Sequence, residues 1–287
     1  MKLALGFDAV APCRKAATAA VAFSALSALL LVAGCAAAPT ASERAARTHR
    51  LVLKQESAAR ERLAVTADGG GQVLRLGLVP QLADAAGLTG AQLGYFQQAL
   101  GSSVRLQLVP FTSSAAEGVA LAAGRLDGAY LDPVTAVRVW LASGRKLIKV
   151  LAGAASTRTG NSGEVTRAVL VVATTLLRTR PAVVAAIVKG QIQAEQVLGT
   201  EPARALPAIG AELAALGVRL VNLRALSRSM TRITYSNDPR ASSVLAQVSR
   251  AASAGLLKPR PSSLAGLYDL GPLNELLRAA GQAQVPG

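Results

Sequence analysis

The sequence predicts an α/β fold: a parallel-rich sheet with helices on both faces. Three observations predict it. Short apolar runs alternate with helical patterns between Val73 and Ser156, and each run ends in a Pro- or Ser-bearing turn. Hydrophobic residues make up 51% of the chain but aromatics only 3%, so Ala, Val and Leu must fill the core. Alternation of this kind marks βαβ units, whose strands lie parallel and whose helices cover the sheet.

Taken in order, the first strand is Val73–Val79, running into Pro80-Gln81, and a helix is expected over Ala91–Leu100. The second strand, Val104–Val109, leads through Pro110 to Ser114 into a helix over Ser114–Ala123. The third, Gly128–Leu131, meets Asp132-Pro133 and a helix over Pro133–Ala142. The fourth, Leu147–Ala152, runs into a turn at Gly153–Ser156. Gly163–Ala173 then reads as a buried strand because its end is Val-rich. Further helices are expected over Arg180–Leu198, Pro202–Leu216, Ser242–Ala254 and Pro272–Ala280, with Pro181 in the first turn of its helix. The segments starting at 73, 104, 128 and 147 are expected side by side in parallel. That arrangement gathers the strand-to-helix turns at the sheet's carboxyl edge, where ligands usually bind.

The N-terminus has a different character. Lys2, Arg14 and Lys15 form a positive region, Ala16–Ala33 is almost unbroken apolar chain, and Leu31-Val-Ala-Gly-Cys35 follows with small residues behind it. This is the layout of a signal peptide, and its end resembles a bacterial lipobox, whose cysteine carries the lipid. Residues 1–34 are therefore expected to be a lipoprotein signal peptide, Cys35 the lipid-attachment residue, and 35–72 a tether. Acyl chains contribute about 0.8 kcal/mol per buried methylene, so a multiply acylated terminus holds firmly to a bilayer. Residues 73–287 form the expected α/β domain.

Charge and motif content narrow the function classes. The chain carries +15, and +13 remains once Lys2, Arg14 and Lys15, against Asp8, go with the leader. The positive residues are scattered and few aromatics lie among them, which argues against nucleic acid. The lone histidine, His49, falls in the tether, and Cys13 leaves with the leader. No Gly-x-Ser-x-Gly, metal-ligand spacing or phosphate loop occurs, so neither an enzyme nor a cofactor is expected.

Several blocks in order resemble the solute-binding proteins of ABC importers in the nitrate, sulfonate and taurine group. Leu74–Pro80 is similar to that family's first strand and turn, and Phe111 with Ala120–Tyr130 to its aromatic turn, helix and Asp-bearing strand. Leu131–Ala136 and Ala152–Ser156 match the turns that follow, Val169–Thr174 with Pro181–Val184 the returning strand and helix. Asn237–Pro239, Gly255–Leu257 and Leu267–Asn274 resemble the closing segment. The resemblance implies a periplasmic-binding-protein-like (type II) lobe. It also exposes a departure: where the family continues into a second lobe after Ser156, this chain passes through Thr157–Gly163 straight to the returning strand. The second lobe is expected to be largely absent.

The resemblance also implies an extracytoplasmic, lipid-anchored solute receptor. Its partners are a permease and, through it, an ATPase, and its cargo is a small organic anion such as an aliphatic sulfonate, taurine or nitrate. The alternative is a shortened, non-transporting relative that serves as a membrane-tethered accessory. In such sites helix N-termini and hydroxyls receive the anion's oxygens, because unpaired N–H groups and the helix dipole favour negative charge. Gln81, Thr112, Ser113, Ser114, Asp132 and Ser156 lie on the turns concerned. Each is also an ordinary turn or capping residue. Asp132 fits an anion poorly unless it pairs with Arg158 or caps the helix beginning at Pro133; an amine-bearing solute remains open.

Overall fold

A computed structural model describes residues 72–158, 163–219 and 222–286. The expected signal peptide, the lipid-bearing Cys35 and the tether through residue 71 lie outside the described residues.

Six strands form one sheet: β1 (Gln72–Leu78), β2 (Val104–Pro110), β3 (Gly128–Leu131), β4 (Ile148–Arg158), β5 (Glu164–Ala173) and β6 (Ile233–Thr234). Their order is β2-β1-β3-β5-β4-β6. β1 pairs in parallel with β2 and β3, as the alternation predicts. β4 departs from expectation. It runs in the same direction as these three, yet β5 returns antiparallel between β3 and β4, with Val169 opposite Leu131 on one side and Gly153 on the other. A short link joins β4 to β5, and a short link between adjacent strands makes an antiparallel pair, whereas a parallel neighbour needs a crossover.

The fourth turn also departs from expectation. Gly153–Ser156 is not a turn into a helix, because β4 continues to Arg158. Glu164–Ala168 of β5 lie past the residue that faces the end of β3. At ~3.4 Å per residue the β4–β5 arm therefore stands roughly 17 Å beyond the rim set by β1 and β3.

Helices cover both faces. On one lie α1 (Ala85–Gln92), α2 (Tyr95–Leu100), α6 (Pro181–Thr200), α7 (Pro202–Ala215) and α10 (Gly271–Ala279), packed on Leu74, Leu76, Tyr130, Leu151, Leu170 and Val172. On the other lie α3 (Ser114–Ala122), α4 (Pro133–Ala142) and α9 (Ala241–Ser253), packed on Ala129, Leu131, Ile148, Val150, Val169 and Val171. Successive strand residues alternate between the two cores, as the period of two requires, except at the register shifts of β4, where Leu151 and Ala152 face the same core. The helix expected over Ala91–Leu100 is divided: Gly94 adopts φ 75°, which ends one helical run and starts α2 at a new angle. Two short helices, α5 (Thr174–Thr179) and α8 (Leu223–Met230), the two-residue β6 and a 3-10 turn at Leu82–Asp84 complete the described elements.

Small residues let these layers approach. Phe96 is fully buried between two glycines, since a Cβ on Gly90 or on Gly190 would lie 2.4 Å or 2.3 Å from its ring. Tight packing of this kind substitutes for the missing aromatic bulk.

Candidate functional site

The rim is built from the residues that end β1, β2 and β3. After β1 the chain makes a one-turn 3-10 helix at Leu82–Asp84. Asp84 folds back over the strand end, where its Oδ2 accepts the Val79 N–H at 2.8 Å. The Gln81 carbonyl accepts the Asp84 N–H at 3.1 Å, and its side chain acts to lower the Asp84 pKa. Gln81 is thereby engaged within its own turn.

After β2, Thr112 is exposed and Ser113 caps α3, its Oγ accepting the Ala116 N–H at 3.2 Å. Ser114 reaches across to the next turn, where its Oγ accepts the Asp132 N–H at 2.9 Å. Asp132 in turn caps α4, its Oδ1 accepting the Val134 and Thr135 N–H groups at 3.0 Å each. Asp132-Pro133 is a favourable start, an acceptor at the cap and a residue without an N–H in the first turn. The structure thus brings Ser113, Ser114 and Asp132 together. It also shows that the N-terminus of α4 already holds a carboxylate, and that this carboxylate is a cap rather than a partner of Arg158.

Ser156 does not join them. It lies in β4 opposite Thr166, three residues past the level of Leu131, so roughly 10 Å up the projecting arm. Its hydroxyl donates to Glu164 Oε2 at 3.2 Å and lies 3.4 Å from the Thr234 carbonyl.

Beneath the rim are buried acids, of which the sequence reading did not single out Glu117 or Glu195. Glu117, fully buried in the first turn of α3, accepts the Tyr130 N–H on Oε1 at 3.1 Å, while its Oε2 has no partner. Burial pushes the Glu117 carboxyl well above the usual carboxylate range, and Asp84 nearby adds to the shift. Burial does the same to Asp84, outweighing the Val79 N–H and Gln81, which pull the other way. Deeper still, Tyr130 donates to Gln191 Oε1 at 2.5 Å, and Gln191 Nε2 donates to the Gly153 carbonyl and to Glu195, both at 3.0 Å. Burial holds Glu195 well above its ordinary range.

Among the described residues no group of His, Cys, Asp and Glu could hold a metal ion, and no helix is long and apolar enough to cross a membrane. Neither protein-family models nor curated proteins give a match to this sequence. Solved structures do. The zinc-bound ligand-binding component of an ABC-type import system from Staphylococcus aureus is similar at TM-score 0.55 and 14% identity, over 71% of this chain and 98% of that one. The periplasmic nitrate-binding protein NrtA of Synechocystis is similar at TM-score 0.58 and 8% identity, over 73% and 89%. The alkanesulfonate-binding protein SsuA of Xanthomonas axonopodis pv. citri, bound to MOPS, is similar at 0.52 and 9%, over 70% and 99%. The chain has the fold of a periplasmic binding protein.

In this periplasmic-binding-protein fold the rim residues are the turns after β1, β2 and β3, and the arm is the β4–β5 pair. Sequence reasoning located the rim because the turns carry Pro, Ser and Asp. It missed Glu117, Glu164 and Arg240. A lone acid on the apolar stretch Ala115–Ala123 was a signal for Glu117, since an uncompensated carboxyl there must find a partner. Glu164 and Arg240 are 76 positions apart in the chain, and nothing local announces their pairing.

Proposed function

We propose that the chain is the extracytoplasmic solute-binding component of an ABC importer, anchored to the bacterial cell membrane through Cys35. It presents a small organic anion to a permease and, through it, to an ATPase. The observation that carries this reading is the sheet itself: three parallel strands, an antiparallel return strand between β3 and β4, and turns gathered at one rim. Solved solute-binding components share this fold.

Among aliphatic sulfonates, taurine and nitrate, the rim suits a solute with an ammonium group as well as an oxyanion, as in taurine. The first-turn amides of Ser114 and Ala115 are the donors that α3 offers an oxyanion, and Asp132, whose N–H donates to Ser114 Oγ, is the neighbouring acid. Isothermal titration tests the reading. Taurine is expected to give heat, nitrate to bind more weakly, and silence from every solute at millimolar concentration would overturn it.

A second reading, a shortened, non-transporting relative that serves as a membrane-tethered accessory or remnant, is favoured by one observation. Ser156 is occupied by Glu164, and the described residues carry one sheet, so the rim has no opposing wall among them. Titration silence, together with failure to stimulate the ATPase of a reconstituted importer, would select it.

A further inference from the structure

The projecting arm holds a second convergence of donors, independent of the rim. Three groups from three elements meet at the Glu164 carboxylate. Ser156 Oγ of β4 donates to Oε2 at 3.2 Å, and Thr234 Oγ1 of β6 donates to Oε1 at 3.3 Å. The Arg240 guanidinium, at the start of α9, forms an ion pair with Oε2 through Nη2.

The surrounding chain fixes these donors in place. Arg240 holds a left-handed backbone, φ 52° and ψ 65°, which a non-glycine residue adopts at a cost. Asp238 Oδ1 secures it by accepting the Arg240 N–H at 2.7 Å. Thr166, nearly fully buried, donates its hydroxyl to the Pro239 carbonyl at 3.1 Å, and its N–H is accepted by Ser243 Oγ at 3.1 Å. Gly153 admits the segment, its N–H donating to the Asn237 carbonyl at 2.6 Å. Ser156 itself is 3% exposed.

The donor set is not exhausted by its occupant. Arg240 Nε is buried and has no hydrogen-bond partner. A guanidinium receives an oxyanion best side-on, through two parallel N–H groups, and Glu164 engages one arm of that fork. Two hydroxyls and an arginine fork of this kind make a receptor for a small carboxylate or sulfonate.

We propose that Ser156, Thr234 and Arg240 form an oxyanion-binding site that Glu164 fills as an intramolecular stand-in for solute. Solute and Glu164 compete for the same donors, so removing the carboxylate uncovers the site. The proposal does not depend on the identity of the cargo, and a wild-type chain that binds nothing leaves it standing.

The test is a thermal-shift and titration series on the protein lacking residues 1–34, with Cys35→Ser in place of the lipidated cysteine. Glu164→Ala is expected to melt below wild type and to recover in acetate or methanesulfonate but not in equal chloride. At about thirty times the dissociation constant the rise should be roughly 4–8 °C. Wild type should show less than a tenth of that affinity. In Glu164→Ala/Arg240→Ala the acetate response should vanish. Absence of an acetate response in the single variant, or its survival in the double one, overturns the proposal, as does failure of Glu164→Ala to fold at any acetate concentration. Glu164→Gln, which keeps the shape and loses the charge, is the second variant: an affinity for methanesulfonate no greater than wild type's counts against the site.

Discussion

Replacing Asp132 by Asn isolates the role of charge at the rim. The cap should survive, because Asn places an oxygen where Asp132 Oδ1 now accepts the Val134 and Thr135 N–H groups at 3.0 Å, and Asn caps as well as Asp. An oxyanion received at the start of α3 would sit one hydrogen bond beyond Ser114, whose Oγ is 2.9 Å from the Asp132 N–H. A separation of about 6 Å between the solute and Asp132 charges is the working case. Coulomb's law then gives ~0.7 kcal/mol of repulsion in bulk water and ~2.8 kcal/mol at an effective dielectric of 20. Relieving it should tighten nitrate or methanesulfonate roughly 3- to 100-fold. Taurine, whose ammonium gains from the carboxylate, should tighten less or weaken. Calorimetric titration of wild type and Asp132→Asn with all three measures this directly. Equal changes for taurine and nitrate, or none for either, would refute the placement of the solute beside Asp132.

Three other perturbations probe the scaffold around the site. Gly153→Ala would place a methyl 2.3 Å from the Asp238 carbonyl oxygen; a loss of about 1–3 kcal/mol is expected in denaturant unfolding, with a looser 236–240 segment seen by amide exchange. Asp84, Glu117 and Glu195 have folded-state pKa values raised above their unfolded ones. Their contribution is fully present below the unfolded carboxyl range near pH 4 and is lost as pH rises through the folded values. Stability should therefore fall from mildly acid toward alkaline pH, by up to about 1.4 kcal/mol per pH unit for each group that stays neutral, and Glu195→Gln should flatten that slope in unfolding curves taken from pH 5 to 8. Gln97 plugs the outer edge of β2, its Nε2 donating to Val104 O at 2.9 Å and its Oε1 accepting the Leu106 N–H at 3.1 Å. Gln97→Ala opens that edge, and sedimentation should show more concentration-dependent association than for wild type.

Local chemistry made much of the fold legible. Pro133 after Asp132 and Ser113 before a run of small apolar residues each specify a helix start, and α3 and α4 begin where those residues stand. β-branched density marked β5. Order within the sheet was not legible in the same way, because the place of β5 between β3 and β4 depends on long-range pairing rather than on any residue's own preference. Ser156 shows the cost. As a small polar residue after an apolar run it reads as a turn, whereas pairing with both β5 and β6 keeps it in a strand. The burial of Asp84 and Glu117 was not legible for a different reason. Acids signal exposure in a sequence, and here burial and backbone donors keep them inside.

The rim and the arm share one physical solution. In both, donors that would receive an anion are satisfied by a carboxylate of the same chain, Asp132 at α4 and Glu164 at the Ser156–Thr234–Arg240 fork. An unpaired buried donor costs about 1–3 kcal/mol, and a tethered carboxylate removes that cost at an effective concentration in the millimolar range or above. The same tether raises the threshold for solute, because apparent affinity falls by the fraction of molecules in which the fork is open. An opposing wall would shift that competition by excluding water and strengthening every contact to the incoming solute. Among the described residues there is none, and there the carboxylate already in place wins against any anion whose free concentration is below its own. Occupancy of the arm is then set by how strongly Glu164 is held: substitutions at Asp238 or Thr166 that loosen Arg240 should lower wild-type stability, yet leave anion affinity in the Glu164→Ala background weaker rather than stronger.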